Sequence, residues 1–324
     1  MYPKTLKSEV LSAIRLGCSP QKIAEIFNLP ISVVYSISRY AQKYQRVLLV
    51  ADLHCGHRVG LTPPEWNPDT IVETDGVTQH NKWVLQRRAI WDWYAKTCKL
   101  LAPIDLCVVV GDAIEGKGDK SGGTELLTTD RHEQGLMAVR ALQEAHATRY
   151  HMVYGTGYHT GNSEDFESPI ADHLHAKIGS HEWVEVNGCI LDIKHHISTI
   201  SSPMSIFTSQ AREAIQNKIW ADSDRQPEAD ILIRGHRHMY SLVECSDYSV
   251  VVLPALQGYG TKFGARICSN RVDVGVVSID IWEDGYFRIT PHLADLKCLH
   301  TSTDRFGENA VVTQTTEDTQ TSGK

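Results

Sequence analysis

The chain has 324 residues, 42% of them hydrophobic and 22% charged, enough for one domain of about 200 to 250 residues with a smaller unit beside it. Its net charge of −7 is uneven: residues 1–45 hold six Lys or Arg against two Glu, a net +4, and the remainder carries −11, which marks the first segment as a separate unit. No stretch approaches the roughly 20 apolar residues of a membrane span and the N-terminus lacks the apolar core of a secretory signal, so a soluble, cytoplasmic protein with no membrane partner is expected.

From the N-terminus, apolar residues at Leu6, Val10 and Ile14, at Ile23, Ile26 and Phe27, and at Val33, Val34 and Ile37 fit helical spacing. Breaks at Gly17–Pro20 and Asn28–Pro30 divide them into three short helices, with Ser19 as an N-cap ahead of Pro20. The stretch SPQKIAEIFNLPISVVYSISR resembles a helix-turn-helix of DNA-binding proteins, with the small Ala24 where two helices would cross. That resemblance implies a third helix from about residue 31 to 43 lying in a major groove, with Ser32, Tyr35, Ser36 and Arg39 on its reading side. A small helical cap or a protein-binding module is the alternative.

From Arg46 the grammar changes. RVLLVADLHCGH, IDLCVVVGDAIEG, YHMVYGTGYHTG and ADILIRGHRHMY each run from an apolar strand through glycine or a polar turn into metal-competent side chains. Helical stretches are expected at 82–101, 132–147, 163–178 and 204–221, and antiparallel strands near 241–255 and 272–290, which makes the body a layered α/β domain over residues 46–300. Residues 301–324 are polar and Thr-rich and read as a disordered tail. The eight cysteines form no C-x-x-C pair, so neither a zinc ribbon nor a disulfide framework is expected, while 16 histidines favour metal binding through imidazole. Segment 58–81, with Trp66, follows the first metal-competent motif and is expected at a site rim, Trp66 either stacking on a base or packing. The glycine-rich 116–131, carrying Lys117, Lys120 and Arg131, reads either as a mobile substrate loop or as solvated charge.

Asp52-x-His54, Gly111-Asp112, His195 and Gly235-His236-x-His238 follow one another in chain order, each at or just past a strand end. This ordered set resembles the calcineurin-like metallophosphoesterase family over residues 46–295. The GDAIEG and GTGYH variants are closer to phage-encoded members than to eukaryotic phosphatases. The resemblance implies a β-sandwich flanked by helices, with a small all-α helix-turn-helix domain (residues 1–45) in front, and two divalent ions that activate water and clamp phosphate oxygens. Asp112 would bridge the ions, Asp52, His54 and His238 completing one site and His195 and His236 the other. Mixed imidazole and carboxylate donors suit Mn²⁺, taken first, or Fe or Zn²⁺, rather than Ca²⁺.

Only one of His195 and His196 can face the site from a strand, and His195 is favoured. Family members show Asn-His at the third strand end, the Asn binding the second metal and the His protonating the leaving group. Here the segment is GTGYHTGN. His159 is present without the Asn, and Thr156, Tyr158 or Asn162 stand as replacement oxygens, or His159 is itself a ligand. Glu115 falls where an Asp or Asn is frequent and is expected to orient a ligand. The function implied is a metal-dependent phosphodiesterase or nuclease acting on nucleic acid, DNA before RNA. A phosphatase or phosphodiesterase for small nucleotides or phosphoproteins, with the helices used for oligomerisation, is the alternative, and the acidic body favours it. A non-catalytic DNA-binding protein is a third. No dimer seam is visible, and the oligomeric state is left open.

Overall fold

The computed structural model describes residues 4–39, 43–67, 71–74, 77–80, 82–160, 165–198, 206–259 and 271–296. In chain order these form α1 (Lys4–Arg15), α2 (Pro20–Ile26), α3 (Ile31–Arg39), β1 (Tyr44–Val50), β2 (Ile71–Thr74), β3 (Val77–His80), α4 (Lys82–Leu101) and β4 (Leu106–Val110). There follow α5 (Arg131–Gln143), β5 (Arg149–Val153), α6 (Gly157–Thr160), α7 (Ser168–His173), β6 (Lys177–Gly179), β7 (Glu182–Val186), β8 (Cys189–Ile193) and α8 (Ile206–Asp222). The last elements are β9 (Ile231–Arg234), β10 (Ser241–Glu244), β11 (Ser249–Val252), β12 (Gly275–Trp282) and β13 (Phe287–Leu293).

The three N-terminal helices enclose a core of their own, Val10, Ile23, Val34 and Ile37, closed by half-buried residues drawn from positions 6 to 33. Ser19 caps α2 by accepting a hydrogen bond from the Lys22 amide at 3.4 Å, one position before Pro20 at the first helical turn. The third helix is described to Arg39. Residues 40–42 lie outside the described residues, and Lys43 already leads into β1, so the sequence expectation of a helix running to 43 is shortened.

The body is a mixed α/β structure of two large sheets flanked by helices, with β2 and β3 pairing as a separate antiparallel ribbon. One sheet has the order β13-β12-β1-β4-β5-β6, with β1, β4, β5 and β6 parallel and β12 and β13 antiparallel at one edge. The other has the order β10-β11-β9-β8-β7, parallel at its centre and antiparallel at both edges. Alternation along β1 explains the layering. Val47 and Leu49 face inward with Val108 and Val110 against Ile193, Ile233 and Val251 of the second sheet. Leu48 and Val50 point the other way, onto Ile90, Trp91 and Tyr94 of α4 and Met137, Ala138 and Ala141 of α5. On the outer face of the second sheet, Ala214 of α8 packs with Leu232 and Val250. Strands buried on both faces need the unbroken apolar runs that the sequence shows.

One expected helix is corrected. Residues 163–178 are not one helix: 163 and 164 lie outside the described residues, α7 spans only Ser168–His173, and β6 follows. Pro169 sets the helix start, and His175 at φ 51° turns the chain out of it towards the sheet edge. The tail 301–324 and segment 260–270 also lie outside the described residues. No helix among the described residues is long and apolar enough to cross a membrane.

Candidate metal centre

The carboxyl ends of β1, β4, β5, β8 and β9 open onto one place. Beyond β1 and β4 the chains stay paired as loops: the Asp52 amide donates to Gly111 O at 3.1 Å, His54 to Asp112 O at 3.0 Å and Cys55 to Ala113 O at 3.0 Å. Beyond β8 and β9, Gly235 N donates to His195 O at 2.9 Å. The two sheets are tied at the site itself, where His236 N donates to Asp52 Oδ2 at 3.0 Å. Space is tight enough to demand glycine. A Cβ on Gly111, which has φ 73°, would stand 2.7 Å from the His195 ring, and one on Gly235 3.1 Å from Asp52 Oδ2.

Three donor groups result, each with its ligand atoms within 4.8 Å of one another: Asp52, His54 and His238; Asp112, His195 and His236; and His54, Glu115 and His159. His54 Nε2 and His238 Nε2 converge to 3.1 Å, and His238 Nε2 lies 3.2 Å from Asp52 Oδ1. His195 Nε2 is 3.1 Å from Asp112 Oδ2 and 4.0 Å from Asp52 Oδ1, so the first two groups adjoin. Ring orientation is set from behind. His54 Nδ1 meets Glu115 Oε2 at 2.8 Å and His195 Nδ1 meets Val110 O at 2.6 Å, which places the proton of each neutral ring on Nδ1 and the lone pair on Nε2, facing the site. Among the described residues, Asp52 Oδ1 and His195 Nε2 are buried and make no well-directed hydrogen bond, although His238 Nε2 and Asp112 Oδ2 stand 3.2 and 3.1 Å from them. Buried polar atoms left this way are rare. A mixed carboxylate and imidazole set with such donor atoms fits a divalent transition metal.

The electrostatics agree. Burial pushes the Asp52 carboxyl up, but the charges of His238 and His195 outweigh it and hold it well below the usual carboxylate range. Burial is likewise outweighed at Asp112, chiefly by His195, and at Glu115, chiefly by His54, and both stay depressed. In return, against burial, His54 is raised to about 10 beside Asp52 and Glu115, and His195 to about 9 beside Asp112. His236 goes the other way, to about 4, through burial and the neighbouring His195 charge. The pocket therefore holds clustered negative charge that protons on His54 and His195 balance when no cation does.

The departure from the Asn-His pattern has a definite geometry. Thr156 donates its amide to Asp112 Oδ1 at 2.6 Å and its hydroxyl lies 3.1 and 3.3 Å from the two Asp112 oxygens. His159 sits in α6 with Nδ1 on Glu115 O at 2.8 Å and Nε2 4.0 Å from Asp112 Oδ2. Tyr158 lays its ring edge-on against His159 at 4.7 Å. His196 is exposed and stacks on the His236 ring at 4.9 Å, outside the donor groups. Asn162 lies outside the described residues. Trp66 packs on the core and donates to Glu133 Oε1 at 3.2 Å, a packing role. Segment 116–131 is bonded to the first motif loop through Arg58 N to Glu125 O and Leu127 N to Gly56 O, both 2.7 Å. Lys117 is exposed, Arg131 lies over the Phe166 ring at 4.0 Å, and the Lys120 side chain is outside the described residues.

Sequence reasoning missed the side chains that hold this frame. Glu167, fully buried, accepts from Ala113 N at 2.9 Å and Gly155 N at 2.8 Å, and burial together with Asp112 raises it to about 7. Gln134 bonds both Gly116 N at 2.8 Å and Gly116 O at 2.9 Å, next to Glu115. Arg234, buried under the His236 turn, pairs with Asp192 at 2.6 Å and Glu213 at 2.9 Å. Each acts on backbone or on another buried charge, so none leaves a local motif.

On the helical unit, Ser32, Tyr35 and Ser36 are exposed along α3, and the Arg39 side chain lies outside the described residues.

No family model matches the chain, and no curated protein is significantly similar to it in sequence. Solved structures to which it is similar include Vps29 from Entamoeba histolytica, at 12% identity and a TM-score of 0.40, covering 78% of this chain and 100% of that one. A novel archaeal phosphodiesterase is similar at 12% identity and a TM-score of 0.42, covering 76% and 100%. A predicted phosphoesterase from Streptococcus pneumoniae TIGR4 is similar at 9% identity and a TM-score of 0.33, covering 77% and 99%.

Proposed function

We propose that this chain is a two-metal-dependent phosphoester hydrolase whose substrate is a phosphodiester of nucleic acid, DNA before RNA. The observation that carries this is the pair of adjoining donor groups, Asp52–His54–His238 and Asp112–His195–His236, each with one buried donor atom that makes no well-directed hydrogen bond. These six residues would hold two divalent cations, Mn²⁺ first with Fe or Zn²⁺ as alternatives, which when bound polarise a phosphoryl group and lower the pKa of water. Asp112 would be the carboxylate shared between the sites, and its Oδ2 lies 3.1 Å from His195 Nε2 and 4.0 Å from His159 Nε2.

The remaining groups orient and move protons. Glu115 fixes the His54 ring through Nδ1 and turns His159 through its carbonyl oxygen, which leaves His159 Nε2 directed at the site. His159 is assigned proton donation to the departing alkoxide, a step worth about two to four orders of magnitude in rate. Donation from Nε2 needs the imidazolium. Burial and the His54 charge pull His159 below its ordinary value, and an anionic phosphoester beside the ring restores the charged form. Thr156, already on Asp112, takes the place of the missing Asn oxygen.

The division at about residue 45 gives the helical unit a separate task. Its +4 charge and the exposed Ser32, Tyr35 and Ser36, with Arg39, support presentation of α3 to DNA. Hydrolysis of a small phosphoester is the second reading, favoured because Arg58 near the site is bonded to Thr124 O and Arg237 to Ser198 O and Ser209 Oγ rather than massed as a phosphate track.

The test is Asp112→Asn with bis-nitrophenyl phosphate and Mn²⁺. Loss of residues that merely support metal ligands weakens such sites 10- to 100-fold, so loss of the shared carboxylate is expected to lower turnover more than about a hundredfold. Wild-type turnover in the variant would sink the two-metal mechanism.

A further inference from the structure

Glu167 is the one fully buried carboxylate among the described residues that neither joins a donor group nor meets a cationic partner in a salt bridge. Burying a carboxyl group is unfavourable unless it is bonded, and an apolar side chain here would leave two backbone amides without an acceptor. The two Glu167 oxygens are spent on two backbone amides from different strand ends. Oε1 accepts from Ala113 N, the residue after Asp112, and Oε2 from Gly155 N, the residue before Thr156. The Thr156 amide in turn donates to Asp112 Oδ1 at 2.6 Å. The bonds close a ring: Asp112 to Ala113, through Glu167 to Gly155, on to Thr156 and back to Asp112.

Resting on the two-metal reading, we propose that Glu167 is a positioning residue that fixes the Asp112 carboxylate between the two donor groups by locking the loops after β4 and β5 to each other. The lock explains how the site works without an Asn at the third strand end. Thr156 is shorter than Asn by one heavy atom and reaches Asp112 because Gly155, which has no room for a Cβ beside Asp112, is drawn in by Glu167. A bidentate acceptor holds both amides at a fixed separation, whereas a carboxamide offers one oxygen and sets an N–H₂ group against the other amide. Glu167→Gln, of equal size, therefore loosens Asp112 without emptying space.

The experiment measures Mn²⁺ binding to chelator-treated full-length protein by the electron paramagnetic resonance of free Mn²⁺, with thermal unfolding of the metal-free chain and bis-nitrophenyl phosphate kinetics in parallel. Wild type is expected to bind two ions. E167Q is expected to bind the weaker one at least tenfold less tightly and to lose kcat with little change in KM. T156V is expected to do the same, and the double variant to be no worse than the worse single one, because the two act on the same carboxylate. E167D keeps the charge but reaches one amide only, and is expected to fall between. If E167Q does not fold, E167D and T156V carry the comparison. Wild-type ion binding and kcat in the folded E167Q or E167D chain, or strictly additive losses with T156V, would overturn the role of Glu167. Failure of the wild-type chain to bind two ions would instead overturn the two-metal reading.

Discussion

At Asp52, His54, Asp112, His236 and His238 the backbone φ lies between 47° and 72°, a region that residues with a Cβ occupy rarely. Strain of this kind amounts to about 1–3 kcal/mol per residue and persists where the surroundings over-determine it. Here the paired loops beyond β1 and β4 and the Asp273 amide on His238 O at 2.8 Å do so. The charges at the same residues lead to a pH dependence. His54 and His195 are raised to about 10 and about 9 from an ordinary value of 6.5. Groups raised on folding contribute stability that is fully present below 6.5 and is lost as pH climbs through the folded values. The metal-free chain is therefore expected to lose thermal stability from pH 6.5 to about 10, and added Mn²⁺, which takes the place of those protons, to restore it with an apparent affinity that rises over the same window. Equal unfolding temperatures across that range without metal would contradict this. The positions of Asp52, His54, Asp112, His195, His236 and His238 were legible because each ends an apolar run. Glu167 and Gln134 were not, since their partners are backbone amides and carbonyls brought together only by tertiary contacts.

Parallel strands aim their carboxyl ends the same way, and at this scale the sequence was most readable. The runs ending at Val50, Val110 and Arg234 are strands at the expected places, and α4 spans Lys82–Leu101 as its periodicity implies. What periodicity did not reveal is how a short apolar stretch divides: residues 163–178 hold α7 and β6, where Pro169 and a left-handed His175 outrank helical spacing. The helices at the N-terminus form a core from their own residues, with Ile23 and Val34 fully buried. Ile23→Ala is expected to destabilise that unit by about 2–5 kcal/mol, most of what so small a core supplies. Turnover of a small phosphodiester should be unchanged. Its readout is the early melting of a helical fraction by circular dichroism, and an equal loss of ester turnover would show that the helices support the site.

Across the whole molecule, the first 45 residues carry a net +4 and the rest −11, an asymmetry that attracts a polyanion to the first part and repels it from the second. A chain beginning at Gln45 is expected to lose cleavage of fluorescent DNA while keeping Mn²⁺-dependent hydrolysis of the nitrophenyl diester. Undiminished DNA cleavage by the shortened chain would remove the helices from substrate delivery, and ester hydrolysis without any DNA cleavage by either chain would turn the search to small phosphoesters. The tie between His236 N and Asp52 Oδ2 spans 184 positions of sequence. For a chain emerging from a ribosome, the first donor group is therefore one ligand short until His238 is made and the second sheet has docked on the first. A chain that ends before His238 therefore lacks a ligand of the first proposed group, and any capture of ions there would wait on this long-range closure.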